Sequence, residues 1–239
     1  MTTNREQVET PTHADVAHSI GSFLASFVPG TGELLNLLFQ KPMEIRCHEW
    51  IETLERELAN LAKQVANIEN ILLENKNAVT AISIASALAI RTSEQCKLDA
   101  LRNAVINSAL NPDYTEFKIQ LFMSLLSDFT VWHIKILEYF NDPESFSKTN
   151  NIEFSFSNCV SCRTMYAFFK LYPTMWEMQA ELAIIINSLH REGLLDIDRA
   201  ILDATHVGTT GQKWNETGPY AKHTTPFGDE LLTFIKEYK

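Results

Sequence analysis

Basic side chains are in short supply. Twenty Lys and Arg stand against thirty Asp and Glu in 239 residues, a net charge of −10. The deficit is uniform, with ten basic and fifteen acidic groups in residues 1–120 and the same again in residues 121–239. No basic tail or lobe is present to neutralise phosphates, which removes the usual driving force for non-specific nucleic-acid binding. Glycine and proline number only eight each, too few for a fold made of many turns, so a mainly α chain is expected. Four cysteines without framework spacing exclude a disulfide scaffold and fit a reducing compartment. The residues through Pro11 lack the basic and apolar segments of a secretory signal, so a cytoplasmic location is expected. Long apolar runs are missing too. Residues 20–39 hold a single charge, but Pro29-Gly30-Thr31-Gly32 splits them. The uncharged run 78–90 falls short of the roughly 20 residues a bilayer span needs. An ordinary transmembrane protein is not expected. Membrane contact by these apolar helices is expected only conditionally, after a trigger.

What is present is helical periodicity. After a polar leader over residues 1–13, Val16, Ile20, Phe23, Leu24 and Phe27 recur at three and four. A short helix from Glu33 to Phe39 is expected to end at Lys41-Pro42, because proline lacks the amide donor. Cys47, Ile51, Leu54, Leu58, Leu61, Val65, Ile68 and Leu72 then step by four and three without a miss. This heptad stripe suits either a coiled-coil seam, a route to a homo-oligomer, or the packing edge of a helical bundle. Trp50, Ile45 and Ile71 widen it and favour the bundle. The small-residue run from Ala78 to Ile90 lets backbones approach closely and predicts a central helix. A further helical period reaches Asn111-Pro112. Residues 14–110 therefore predict a helical bundle.

Residues 111–239 predict a second module. Helices are expected over Phe117–Leu126, over Thr130–Phe140 up to Asn141-Asp142-Pro143, over about Ser161–Leu171 up to Tyr172-Pro173, and from Met175 to Glu192. Residues 144–158, rich in Ser and Asn, read as a loop. Gly193-Leu194-Leu195, a turn-rich stretch with a short β-hairpin near 203–225, and a final helix opened by Thr224-Thr225-Pro226-Phe227-Gly228 follow. That order predicts a winged-helix-like module. Its third helix, in the place used to read DNA, begins with Trp176, Glu177, Met178 and Glu181, whereas groove reading needs Arg, Lys, Asn or Gln and cations for phosphates. Nucleic acid is thus a disfavoured partner and a protein partner the expected one. Trp176, Glu177, Lys213, Trp214, Tyr220, Lys222 and His223 form the candidate interaction surface, with the 144–158 loop beside them.

No catalytic constellation emerges. Cys159-Val160-Ser161-Cys162 has redox or half-zinc spacing, but no second ligand pair follows. Cys47-His48 places the thiol on the apolar stripe, while a helical neighbour points elsewhere. His206, His223 and Asp203 share a polar stretch without a nucleophile. Gly208–Gly211 and Pro29–Gly32 lack the spacing and the Lys-Ser/Thr ending of a phosphate loop. A non-enzymatic protein with no metal and no cofactor is expected.

Several segments in order carry a family resemblance: V-P-G-T-G-E-L-L at 28–35; Lys41, Pro42, Glu44, Arg46, Trp50 and Leu54; L-R-N-A-V-I-N-S at 101–108; F-T-x-x-H-x-x-I-L from Phe129 with Asp142-Pro143; and the G-L-L and T-P-F-G-x-x-L-L-x-F-I ending. The chain resembles uncharacterised bacterial helical proteins with a C-terminal winged-helix-like module. It is similar to the abortive-infection alpha type associated with phage defence. The resemblance implies a context in defence or stress response and brings no catalytic motif.

Overall fold

A computed structural model describes residues 33–63, 75–152, 165–197 and 222–238, which are mainly helical and contain no named strand. The chain divides into two compact units, Met1–Ser127 with Ile235–Lys239, and Asp128–Phe234.

The first unit is a helical bundle. Helix α1 spans Glu33–Ala62, α2 Lys76–Ala89, α3 Gln95–Leu110 and α4 Glu116–Asp128. Helix α1 corrects the sequence expectation, because it runs through Pro42 instead of ending there. An interior proline costs about 3 kcal/mol. The cost falls on one missing amide donor and one ring–carbonyl clash, so a proline can bend or weaken a helix without ending it. Downstream, Cys47, Trp50, Leu54, Leu58 and Leu61 are all buried along one stripe. Leu58 and Leu61 pack with Ala78, Ile106 and Ala109, so the stripe is a bundle edge over the described residues.

The small-residue run forms α2 as expected. Ala78, Ala81, Ala85 and Ala89 are buried, as are Ala100 and Ala104 of α3, and α2 and α3 make the most extensive helix–helix contact. Asn75 caps α2 by accepting from the amides of Asn77 (2.9 Å) and Ala78 (3.4 Å), and its own amide donates to the Ala109 carbonyl at 3.1 Å. One side chain thus starts α2 and ties it to the end of α3. Trp50 Nε1 donates to Ser86 Oγ at 3.0 Å inside the bundle. Buried Asn103 and Asn107 of α3 donate to the carbonyls of Ile235 and Lys236, at 3.0 and 2.8 Å. These bonds pair the two buried amides of α3 with backbone carbonyls of residues 235–236, which belong to the same unit. No described helix is long and apolar enough to cross a membrane.

In the second unit α5 spans Val131–Asn141, α6 Pro143–Thr149, α7 Tyr166–Leu171, a 3₁₀ turn Pro173–Trp176, α8 Gln179–Arg191 and α9 Pro226–Ile235. His133 begins α5 as a capping box: its Nδ1 accepts the Thr130 amide at 3.1 Å, and its ring stacks on Phe129 at 4.9 Å. That interaction explains the T-x-x-H signature. Two expectations are corrected. Residues 144–149 of the expected loop are helical, in a helix that Pro143 opens at its first position and Asp142 caps by accepting from the Ser145 amide. The helix expected from Met175 begins instead at Gln179, since Pro173 opens a 3₁₀ turn first. The hairpin expected near 203–225 lies outside the described residues except for Lys222–Thr225, where Thr224 makes an isolated antiparallel bridge with Leu195. The core holds Ile136, Leu137, Tyr139, Phe140, Phe168, Leu182, Ile186, Leu189, Leu231 and Phe234.

Candidate functional site

The G-L-L and T-T-P-F-G segments meet within the second unit. Gly193 stands after α8 at φ 72°, the left-handed conformation glycine accepts most readily. Its amide bonds the His190 carbonyl, and the Leu194 amide bonds the Leu189 carbonyl, both at 2.9 Å. This Schellman arrangement ends the helix and buries Leu194 and Leu195. Thr225 then caps α9. Its hydroxyl accepts the Gly228 amide at 3.0 Å and donates to the Gly193 carbonyl at 2.6 Å, while its amide bonds the Leu194 carbonyl at 3.0 Å. Gly228 has to be glycine for a steric reason: a Cβ there would lie 2.3 Å from the Leu194 carbonyl oxygen.

Around this joint sits a polar cluster. Asn141 donates to Asp229 at 2.8 Å and to Thr224 at 3.2 Å, Thr224 donates to Asp229, and Lys222 Nζ reaches Asp229 at 2.6 Å. Burial pushes the Asp229 carboxyl up, but these donors outweigh it and hold it below its usual range. His223 is tied by its backbone, its amide donating to Phe140 O at 2.9 Å and its carbonyl accepting from Asp196 at 2.8 Å. Its ring meets Phe140 edge-on at 5.6 Å. Burial lowers its pKa below the ordinary 6.5, against the smaller raising effects of Asp196.

The sign of that shift gives a test. As the pH falls below 6.5 the unfolded chain takes up the His223 proton first. Stability present above that pH is therefore lost as the pH drops toward the depressed folded value. His223→Gln is expected to lose less of its urea midpoint than the native chain between about pH 7 and about pH 5. An equal loss in both would show that His223 does not contribute to this dependence.

Of the predicted surface, Lys222 and His223 lie in this joint, while Lys213, Trp214 and Tyr220 lie outside the described residues. Trp176 and Glu177 lie on and just after the 3₁₀ turn. Trp176 is 49% exposed and braces edge-on against Phe169 at 5.1 Å. Beyond it Met178 is 37% and Ile184 68% exposed. Helix α8 turns Leu182, Ile185, Ile186 and Leu189 inward, so Ile184 stands on its solvent face, next to Glu181 three residues earlier. Sequence reasoning missed Ile184 because an apolar residue in an apolar run reads as core.

A second feature, in the first unit, also escaped the sequence. A cleft of about 220 Å³ opens among α1, the end of α2 and the start of α3, lined by Arg46, Glu49, Trp50, Thr53, Thr92, Gln95, Asp99 and Arg102 among others. Arg102 pairs with Asp99 at 2.9 Å, Gln95 donates to the same carboxylate at 3.0 Å, and Arg46 reaches the Ile90 carbonyl at 3.4 Å. Two guanidiniums and two carboxylates are in its wall, so the lining carries no net formal charge.

The chemistry considered in the sequence is placed only in part. Cys47 is buried, and burial pushes its thiol pKa up, away from a reactive thiolate. His48 faces Glu52 at 3.1 Å on the exposed side of α1. Cys159, Cys162, Asp203, His206 and the Gly208–Gly211 and Pro29–Gly32 turns lie outside the described residues. Among the described residues no group of three or more His, Cys, Asp or Glu side chains is placed to hold a metal ion. Compared with protein-family models, curated proteins and solved structures, the chain matches none.

Proposed function

We propose that this protein is a non-enzymatic interaction protein that binds a protein partner through the 176–184 face of its second unit. The observation that carries this reading is the pair of large apolar side chains, Trp176 and Ile184, left 49% and 68% exposed on one short segment. Exposed aromatic and apolar anchors of this kind mark contact surfaces more often than catalytic ones. Glu177 and Glu181 beside them support protein over DNA as the partner. Lys222, the one described cation of the predicted surface, already engages Asp229.

The winged-helix-like reading of this unit belongs to the same proposal. It rests on the sequence order of helices, G-L-L, turn-rich stretch and T-P-F-G-opened helix; an isolated antiparallel bridge joins Leu195 and Thr224. Resemblance to abortive-infection proteins is what points to phage defence or another stress response in the cytoplasm as the setting.

Affinity capture from native host lysate, with and without nuclease, tests the reading. A stoichiometric protein that survives nuclease is the expected result. Recovery of nuclease-sensitive material alone would favour a DNA-binding regulator. Vesicle leakage without a protein partner would favour a membrane-perturbing effector.

A further inference from the structure

The surface used by the proposed function carries charge as well as apolar bulk, and the charge narrows the occupant. Trp176, Met178 and Ile184 are exposed in one stretch of chain, and Glu177 and Glu181 are exposed among them. A carboxylate in the first turn of α8 is ordinary, since it complements the helix dipole. The dipole does not account for Ile184, which is the most exposed side chain of the three and sits one turn from Glu181. Two cations of this unit have partners of their own. Lys135 is drawn over the rings of Trp132 and Tyr172, at 4.9 and 4.7 Å, and Arg191 at the far end of α8 pairs with Glu192 at 3.2 Å. Lys170, exposed in the last turn of α7, follows the Phe169 on which Trp176 rests and lies at the other end of the segment from Ile184 in sequence.

Resting on the interaction reading, we infer that the 176–184 face docks a basic amphipathic helix of a partner protein. The apolar side of such a helix covers Trp176, Met178 and Ile184, and its Lys or Arg flanks meet Glu177 and Glu181. An apolar ledge rimmed by carboxylates repels DNA and anionic membranes and discriminates against acidic helices. The net charge of −10 speeds encounter with a basic partner without supplying the orientation, which the ledge provides.

The test uses the full chain and labelled model peptides, one an amphipathic Leu/Lys helix and one the same pattern with Glu in place of Lys. Binding of the Leu/Lys peptide is expected, weakened about tenfold or more by Ile184→Ser. The double reversal Glu177→Lys, Glu181→Lys is expected to transfer preference to the Leu/Glu peptide. Reversal of exposed acids elsewhere, Glu52→Lys with Asp113→Lys, is expected to leave the preference unchanged. Equal losses from both reversals would reduce the effect to net charge and overturn the inference, as would tighter binding to vesicles of anionic lipid. A native partner that depends on Ile184 but not on Glu177 and Glu181 would refute the basic helix while leaving the interaction reading intact. Absence of any Trp176- and Ile184-dependent partner would refute the interaction reading itself.

Discussion

Replacing Gly228 with alanine is expected to destabilise the second unit by about 3 kcal/mol or more, at the upper end for overpacked sites. The added Cβ would lie 2.3 Å from the Leu194 carbonyl oxygen, and that oxygen is backbone already bonded to the Thr225 amide. No side-chain rotation relieves such a clash. Either α9 shifts and loses its Thr225 cap, or the end of α8 gives way. With typical urea slopes, the midpoint falls by about 1 M or more. Gly193→Ala provides the contrast. Nothing lies within 4 Å of its Cβ position, and its φ of 72° is the only penalty, about 1–2 kcal/mol. If the two variants lose stability equally, the close approach of α9 to Leu194 is not what fixes the G-L-L and T-T-P-F-G segments.

Phe168→Ala is expected to be the other severe change, at about 3–5 kcal/mol. Phe168 is fully buried, and its ring meets Trp132, Tyr139, Phe146, Phe169 and Tyr172. Five aromatic contacts add edge-on and stacked terms to simple burial, so neighbouring rings cannot close the cavity without losing their own geometry. Phe117 is 75% exposed, and Phe117→Ala is expected to stay within about 0.5 kcal/mol of the native chain. Chemical unfolding followed by near-ultraviolet circular dichroism measures both. Similar losses for the two phenylalanines would contradict the assignment of Phe168 as the centre of this core.

Much of the helical framework is legible along the chain because burial follows simple periods. The stripe from Cys47 to Leu61, the alanine face of α2 and the Leu231-Leu232-Phe234-Ile235 face of α9 all repeat as a bundle requires. Prolines mark where the reading fails. Asp142-Pro143 stops α5, yet the same pair also starts α6, since an N-cap acid and a first-position proline are initiation signals too. Pro173 both ends α7 and opens the 3₁₀ turn that delays α8. Pro42 misleads in the opposite sense: α1 runs through it, since one missing donor weakens a helix without having to end it.

The candidate surface is less legible than the framework. Trp176 and Glu177 were readable as departures from a DNA-reading helix. Ile184 was not, since Ile184, Ile185 and Ile186 are identical letters, and only the position of α8 sends the first to solvent and the others to the core. The cleft among α1, α2 and α3 draws on three separate stretches whose approach no local pattern encodes. The Asn141–Thr224–Asp229 cluster joins residues more than eighty positions apart for the same reason.

The most direct test of the central claim is the nuclease-treated capture repeated with a Trp176→Ala, Ile184→Ser double variant. Ile184 is mostly exposed, but Trp176 is half-buried against Phe169, so the variant is expected to lose about 1–2 kcal/mol and to remain folded, which its urea midpoint checks. The folded variant is expected no longer to retain the partner that the native chain retains. Undiminished retention by the folded variant would contradict the claim.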